Sequence, residues 1–153
     1  MFSDIARKFC QVFNLFCCVH VFHAHVGQLH YVVGPSMFPT LNATGDLLFL
    51  ERFSVRFQKV NVGDIVVACS PENPRVLICK RVLAVEGDSI SVLPEPYAQD
   101  AAKNVLIPKG HVWLQGDDPY KSRDSRHYGP VPYALLQGKV QLRIWPPHSW
   151  KKF

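Results

Sequence analysis

Three short stretches of this chain carry residue types that together could perform acyl transfer. The first is Gly34-Pro35-Ser36-Met37-Phe38-Pro39-Thr40-Leu41, where one serine stands between two prolines at the end of a long apolar run. Taken alone it reads as a turn, since Ser, Pro and Thr are common turn residues. A serine hydroxyl is a weak nucleophile and needs a base within hydrogen-bond reach. Given such a base, Ser36 becomes a candidate catalytic nucleophile.

Seven histidines are present, so a Ser-His-Asp triad has to be weighed. His20, His23, His25 and His30 precede Ser36 in or beside the apolar segment, while His111, His127 and His148 fall in loops or near the C-terminus. No Gly-x-Ser-x-Gly elbow surrounds Ser36. Lys80 is the better base. It lies in the longest strand signal, Arg75 to Glu86, and side chains along a strand alternate faces. Val76, Ile78, Lys80, Val82 and Ala84 therefore share one row, with the lysine in its middle. Burying an ammonium costs free energy, so its pKa should fall and leave neutral amine to take a proton. A lysine shifted to about 7 works as a general base. The competing reading is a strand-edge lysine that carries its charge to solvent along its own stem. Arg81, on the opposite face, cannot deprotonate and is expected to meet a carboxylate or the surface.

The third stretch runs from Gly116-Asp117-Asp118 through Ser122-Arg123-Asp124-Ser125-Arg126-His127 to Pro130. It is either a solvated loop or a part of the site. A buried neutral lysine needs an orienting partner, and a hydroxyl supplies one without adding charge. Asp124 and Arg126 are two apart, so in an extended segment they share a face and can pair to brace the loop.

These residues must be positioned by a chain of 153 residues, enough for one domain with a real core. Hydrophobic residues make up 48% and charged ones 19%, which excludes a disordered tail and a coiled coil. Twelve prolines and nine glycines favour short strands and turns over long helices. The formal charge of +5 is spread singly or in pairs among acids, unlike the basic stripe of a nucleic-acid binder, so no nucleic-acid partner is expected.

From Phe9 to Gly45 there is no Asp, Glu, Lys or Arg. Within it, Phe9 to Val26 approaches the roughly 20 apolar residues of a membrane-spanning helix, although Gln11, Asn14, His20, His23 and His25 interrupt it. We read residues 1–30 as a lead and membrane anchor and 31–153 as the catalytic domain; a buried or amphipathic helix is the alternative. Cys17, His20, His23 and His25 are metal-ligand types, but no second cluster follows, so no metal is expected. Five cysteines, two of them adjacent, do not make a disulfide framework. Cys69 and Cys79 read as buried thiols, with one bridge between them left open.

Further strands are expected at Leu47–Leu50, Ile65–Cys69, Val112–Gln115 and Gly138–Trp145, with Asn42 to Asp46 a turn. Gly87-Asp88 is expected to close a hairpin from the Lys80 strand into Ser89–Leu93. Pro94 to Gly110 reads as a long loop with a small helix at Ala98–Lys103. The fold class is mainly β, a coiled sheet or partly open barrel of antiparallel strands behind one N-terminal helix.

Four blocks stand in order: Ser36-Met37-Phe38-Pro39-Thr40, Gly63-Asp64-Ile65-Val66, Lys80-Arg81-Val82 with Gly87-Asp88, and Gly116-Asp117 through Ser122-Arg123-Asp124-Ser125-Arg126. Together they resemble the Ser/Lys signal peptidase family over roughly residues 30–146. Ile78-Cys79-Lys80-Arg81-Val82, Gly110-His111-Val112-Trp113-Leu114 and Ile144-Trp145-Pro146 narrow the resemblance to the mitochondrial inner-membrane branch of that family.

The resemblance implies Ser36 as acylating nucleophile, its backbone N–H as an oxyanion donor, and Lys80 as general base. It implies Ser122 as the hydroxyl orienting the lysine, with Asp124 and Arg126 as bracing residues. It implies a signal-peptidase-like antiparallel fold and the removal of N-terminal sorting peptides from precursor proteins delivered to the mitochondrial intermembrane space. The catalytic domain would face that space from the inner membrane, beside a second protease subunit, with no metal or organic cofactor.

A bacterial-type signal peptidase and a non-catalytic membrane-bound scaffold are the alternatives. A self-cleaving DNA-binding repressor is disfavoured, because the segment before Ser36 is apolar and lacks a basic recognition helix. Two positions depart from bacterial members. Gly34 stands where they often carry a serine whose hydroxyl helps hold the oxyanion. Asp118 stands where they commonly carry Asn, and is expected to face away from Lys80.

Overall fold

The computed structural model describes residues 2–92 and 103–153. It opens with helix α1 (Phe2–Val21), which runs through a π-helical turn (Phe22–Val26) directly into strand β1 (Gly27–Val33). The 23 residues Asp4–Val26 are long and apolar enough to cross a membrane. Phe9, Val12, Phe13, Leu15 and Phe16 are all exposed along it, so none of the other described residues covers this face of the helix.

A 3-10 turn (Pro35–Met37) then precedes β2 (Thr44–Glu51), a short helix α2 (Phe53–Arg56), β3 (Ile65–Cys69) and β4 (Leu77–Ala84). Strands β5 (Ser89–Val92), β6 (Lys103–Leu106) and β7 (His111–Gln115) follow. The chain ends with α3 (Ser125–Tyr128), β8 (Val131–Pro132), the long β9 (Leu136–Trp145) and β10 (Lys151–Lys152).

The main sheet has the order β1-β2-β9-β3-β4-β7-β8, with β10 added to β9, and its pairs are antiparallel. Strands β5 and β6 form a separate hairpin. Successive side chains on a strand point to opposite faces, and β3 shows why its sequence is apolar without a break. Ile65 and Val67 enter a core with Met37, Leu41, Leu48, Leu50 and Val140. Val66 and Ala68 enter a second core with Val60, Val82, Val112, Leu114, Val131 and Leu136. The sheet is therefore covered on both sides at its centre, as a curled antiparallel half-barrel requires.

Several expectations are corrected. The expected hairpin from the Lys80 strand across Gly87-Asp88 does not form, because β4 is already paired on both edges, with β3 and β7. The turn instead delivers β5 to β6, held by Gly87 N–H to the Ile107 carbonyl (3.0 Å) and Ile107 N–H to the Asp88 carbonyl (2.9 Å). The Lys80 strand spans Leu77–Ala84, not Arg75–Glu86, and Val76 is exposed outside it. Lys103 begins a strand where a small helix was expected to end; the rest of that expected helix, 98–102, lies outside the described residues. Strand β1 was not anticipated.

β2 begins at Thr44, inside the expected turn, and the reason is chemical. Asp46 is fully buried and accepts from Asn42 N–H (2.9 Å), Asn42 Nδ2 (2.7 Å) and Arg143 Nη1 (3.2 Å). The strand carries a carboxylate into the interior because β9 supplies the cation that answers it. Removing one member of a buried ion pair leaves the other uncompensated, at about 3–5 kcal/mol. Asp46→Ala should therefore lower the thermal midpoint of the full chain by several degrees. Asn42→Ala, which leaves Arg143 paired, should cost only about 1 kcal/mol; comparable losses from the two variants would show that the pair is not what holds this corner.

Candidate active site

Lys80 sits in the middle of β4, 4% exposed, directly across from Val66 of β3. On its row, Val82 and Ala84 are buried and Ile78 is partly covered, which is the apolar wall expected of this face. Burial drives the Lys80 pKa below its ordinary value; the negative charge of Asp124 pulls it back up and Arg126 pushes it down again. Among the described residues no carboxylate oxygen lies within ion-pair distance of Nζ. The lysine therefore feels Asp124 through space without being neutralised by contact.

Ser36 lies in the 3-10 turn Pro35–Met37, which packs against β4. Met37 is 1% exposed and plugs the turn into the core beside Leu41. Gly34 N–H to the Ala43 carbonyl (2.7 Å) and Phe38 N–H to the Pro35 carbonyl (3.0 Å) close the segment on either side of the serine. The Ser36 carbonyl accepts from Asp118 N–H at 3.1 Å, tying the turn to the loop after β7. Gly34 has φ 117 and ψ 147, a region that is essentially glycine's alone. Open space surrounds its missing side chain, so conformation and not crowding dictates the residue there.

Gly116 joins the parts. It follows Gln115, whose partner across the ladder is Arg81, so the next rung carries it beside Lys80. A Cβ at Gly116 would lie 2.5 Å from the Ser36 carbonyl oxygen and would overlap the Ser122 side chain. The absent side chain is the space in which the Ser36 turn, the lysine strand and Ser122 come together.

Ser122 is buried, and its Oγ donates to Asp124 Oδ2 at 2.6 Å. Its hydroxyl proton is thus committed, and toward an amine this oxygen acts as an acceptor. Asp124, fully buried, also accepts from Gly116 N–H (2.9 Å), Arg126 N–H (3.2 Å), Arg126 Nε (2.9 Å) and Arg126 Nη2 (2.9 Å). Burial alone would raise its pKa, but the Arg126, Ser122 and Gly116 hydrogen bonds hold it below the usual carboxylate value. Asp124 also caps α3, with His127 Nδ1 accepting from the Asp124 N–H at 3.3 Å.

The remaining expected residues are placed as follows. Asp118 turns into its own loop, where Oδ1 accepts from Tyr120 N–H (3.0 Å) and Lys121 N–H (3.1 Å). Of the histidines weighed for a triad, His111 engages the Lys109 carbonyl through Nδ1 and His127 is occupied at the α3 cap. All five cysteines are free. Cys69 lies opposite Leu77 and Cys79 opposite Val67, so the pair left open sits on different rungs. Burial pushes the Cys79 thiol up to about 12. Among the described residues no group of three His, Cys, Asp or Glu converges on a metal position.

Arg81 meets a carboxylate, one of the two outcomes expected of it, and the sequence reading named neither that partner nor the contacts at Thr40. Arg81 makes a bidentate pair with Asp117 (Nε to Oδ1 2.8 Å, Nη2 to Oδ2 2.7 Å) and also reaches the Gly63 carbonyl (2.8 Å) and Thr40 Oγ1 (3.4 Å). Arg143 Nη1 reaches the Thr40 carbonyl at 3.3 Å. The segment that carries Ser36 is thereby clamped at Thr40 by arginines from two strands. Adjacent carboxylates in the block Gly116-Asp117-Asp118 were the available signal, but nothing in the sequence says which arginine answers which.

A hydroxyl on a rigid turn, an amine kept from water and a second hydroxyl anchored to a carboxylate make an arrangement suited to acyl transfer. Comparison with known proteins bears on it. The sequence pattern of the family described as Signal peptidase, peptidase S26, matches residues 5–145. The chain is 48% identical to the mitochondrial ATP-independent inner membrane protease subunit 1a of Arabidopsis thaliana over 89% of this chain and 81% of that one. It is 44% identical to the mitochondrial inner membrane protease subunit 1 of Xenopus tropicalis over 88% and 78%. It is 39% identical to the mitochondrial inner membrane protease subunit 2 of Danio rerio over 98% and 84%. A solved signal peptidase I from Enterococcus faecalis is similar at TM-score 0.44 and 20% identity, over 52% of this chain and 95% of that one.

Two outcomes follow from the geometry. Lys80 holds its proton less tightly in the folded chain than in the unfolded one, where its value is 10.5. Unfolding therefore takes up protons, and Lys80 costs stability at neutral pH, a cost that fades as pH rises toward 10.5. Lys80→Met should stabilise the chain near neutral pH, with the gain shrinking in alkaline urea titrations; a gain equal at all pH values would mean the pKa is not lowered. Gly116→Ala should cost about 1–3 kcal/mol in the same titrations, as overpacking does, because a backbone carbonyl and a buried serine must both move.

Proposed function

We propose, for a chain that belongs to the signal peptidase family, peptidase S26, and is a serine peptidase, that Ser36 is its acylating nucleophile and Lys80 its general base. The observation that carries this reading is the burial of Lys80 on an apolar strand row against which the Ser36 turn packs. Neutral Lys80 takes the Ser36 Oγ proton as the oxygen attacks the scissile carbonyl, and the Ser36 N–H donates to the oxyanion. The ammonium then returns its proton to the leaving amine. Water then attacks the acyl carbon and gives its proton to Lys80, which passes it to Ser36 Oγ as the acyl C–O bond breaks, releasing the acid and restoring the dyad.

Ser122 orients the base. With its proton on Asp124, its oxygen is left to accept an N–H from Lys80 and to turn the amine lone pair toward Ser36. Asp124 and Arg126 hold Ser122 in place. Gly34 supplies no side-chain donor, so the oxyanion relies on backbone.

The relatives named as mitochondrial inner membrane protease subunits support a place in the mitochondrial inner membrane, with α1 as the anchor. Arg7 and Lys8 would then stay on the matrix side, in keeping with the positive-inside tendency, and the β domain would face the intermembrane space. The substrates in this reading are precursor proteins carrying cleavable N-terminal sorting peptides. Similarity to both subunit 1 and subunit 2 proteins supports a second protease subunit as partner.

Folded Ser36→Ala and Lys80→Ala variants should each lose cleavage of a precursor peptide by at least ~10³-fold, measured on membranes carrying the chain. Cleavage by the unaltered chain should rise with pH through the lowered Lys80 pKa, in the range below 10.5. Full activity in either folded variant would remove the dyad.

A further inference from the structure

The helix and the catalytic sheet are joined without a loop. After the π-helical turn, Gly27 is already extended at φ −172 and opens β1, its N–H donating to the Phe22 carbonyl. A helical C-terminus leaves carbonyls without partners and favours a cation nearby. Arg52, which follows β2, answers them from across the chain. Its backbone N–H donates to the Val26 carbonyl (3.1 Å), Nη1 to the Ala24 carbonyl (2.8 Å) and Nη2 to Gln28 Oε1 (3.1 Å).

The grip is tight because position 27 is glycine. Gly27 pairs with Glu51, the neighbour of Arg52, and a Cβ there would lie 2.6 Å from both the Leu50 carbonyl and the Phe49 ring. Three acceptors spread over five residues of the junction thus converge on one arginine. A guanidinium presents its donors in a fixed fork, so two bonds from it set an orientation where one bond from an ammonium would leave a swivel. None of these contacts reaches Ser36, Lys80 or Ser122, and the acyl-transfer steps leave Arg52 without a task.

We infer that Arg52 is a positioning residue that locks the β domain at a set tilt on its helix, so that β1 presents Ser36 at the depth where a bilayer-tethered peptide is cleaved. Strand β1 runs seven residues from the junction toward the nucleophile, roughly 23 Å of extended chain. A change of tilt at its base therefore moves Ser36 by several ångströms. The inference rests on reading α1 as a membrane anchor and Ser36 as the nucleophile. It separates two kinds of substrate: a peptide free in solution reaches the site at any tilt, whereas one held in the bilayer reaches it only at the right height.

The test uses the full chain in liposomes with two substrates that share one cleavage sequence, a soluble peptide and the same peptide fused to a transmembrane helix. Arg52→Ala should leave soluble-peptide cleavage within about twofold and reduce tethered-peptide cleavage by about tenfold to a hundredfold, as misplacement by an ångström or more does. Arg52→Lys should fall between. Equal losses on both substrates would reduce Arg52 to a stabilising residue and overturn the inference, as would no loss on either.

If the unaltered chain cleaves neither substrate, the functional reading fails, and the lock is judged separately. Spin labels carried by non-natural residues at Val12 and Lys59 should then give one narrow distance distribution in the unaltered chain and a broad one in Arg52→Ala. An unchanged distribution would overturn the lock.

Discussion

A carboxylate removed from water must find its partners inside the protein, and the loop after β7 is arranged around that demand at Asp124. Five donors reach it: a hydroxyl, two backbone amides and two nitrogens of one guanidinium. Each bond recruits a different part of the site. The Gly116 amide fixes the end of β7 beside Lys80, the Ser122 hydroxyl is turned and held, and the amide of Arg126 starts α3. The bidentate Arg126 has a further effect. It offsets part of the carboxylate's field at Lys80, where burial already outweighs the attraction, so a negative charge can sit near the lysine while its pKa stays lowered.

The segment that carries Ser36 depends on a second set of charges. Arg81 and Arg143 come from β4 and β9, strands on opposite sides of β3, and both reach Thr40. Each is tied to its own buried or half-buried carboxylate, Asp117 and Asp46. The turn with Ser36 is therefore registered against the sheet at two points that are independent of the lysine. Met37 adds an apolar plug between them. A weakly nucleophilic hydroxyl gains most from such fixing, since orientation lowers the barrier without new chemistry.

What the sequence disclosed was local. Alternation along Ile78, Lys80, Val82 and Ala84 marked the buried row correctly, because the period of a strand is a property of a few residues. It failed at Val76, where the strand had not yet begun, and strand ends depend on which neighbours are available. The Gly87-Asp88 turn chemistry was read correctly as a turn, yet its hairpin did not form, because both edges of β4 were taken by strands distant in sequence. Strand β1 was hidden by the apolar helix before it, although Leu29, Tyr31 and Val33 alternate with Gln28, His30 and Val32. The pairings Arg81–Asp117 and Arg143–Asp46 span 36 and 97 residues, and no local pattern encodes a partner at such a separation. The pairing of Asp124 with Arg126, two residues apart, was legible, although Asp124 meets it as the cap of helix α3 and not along an extended segment.

The backbone at Gly34 has a consequence for how this site could change over generations. With φ at 117, the residue there is achiral by requirement, not by default. A serine installed by one codon change would add a hydroxyl but would meet a backbone that L-residues rarely adopt, at about 1–3 kcal/mol. A loop with a side-chain hydroxyl at this position is thus separated from the present one by a remodelled backbone and not by a point mutation. Lineages on either side of that divide would be expected to stay there.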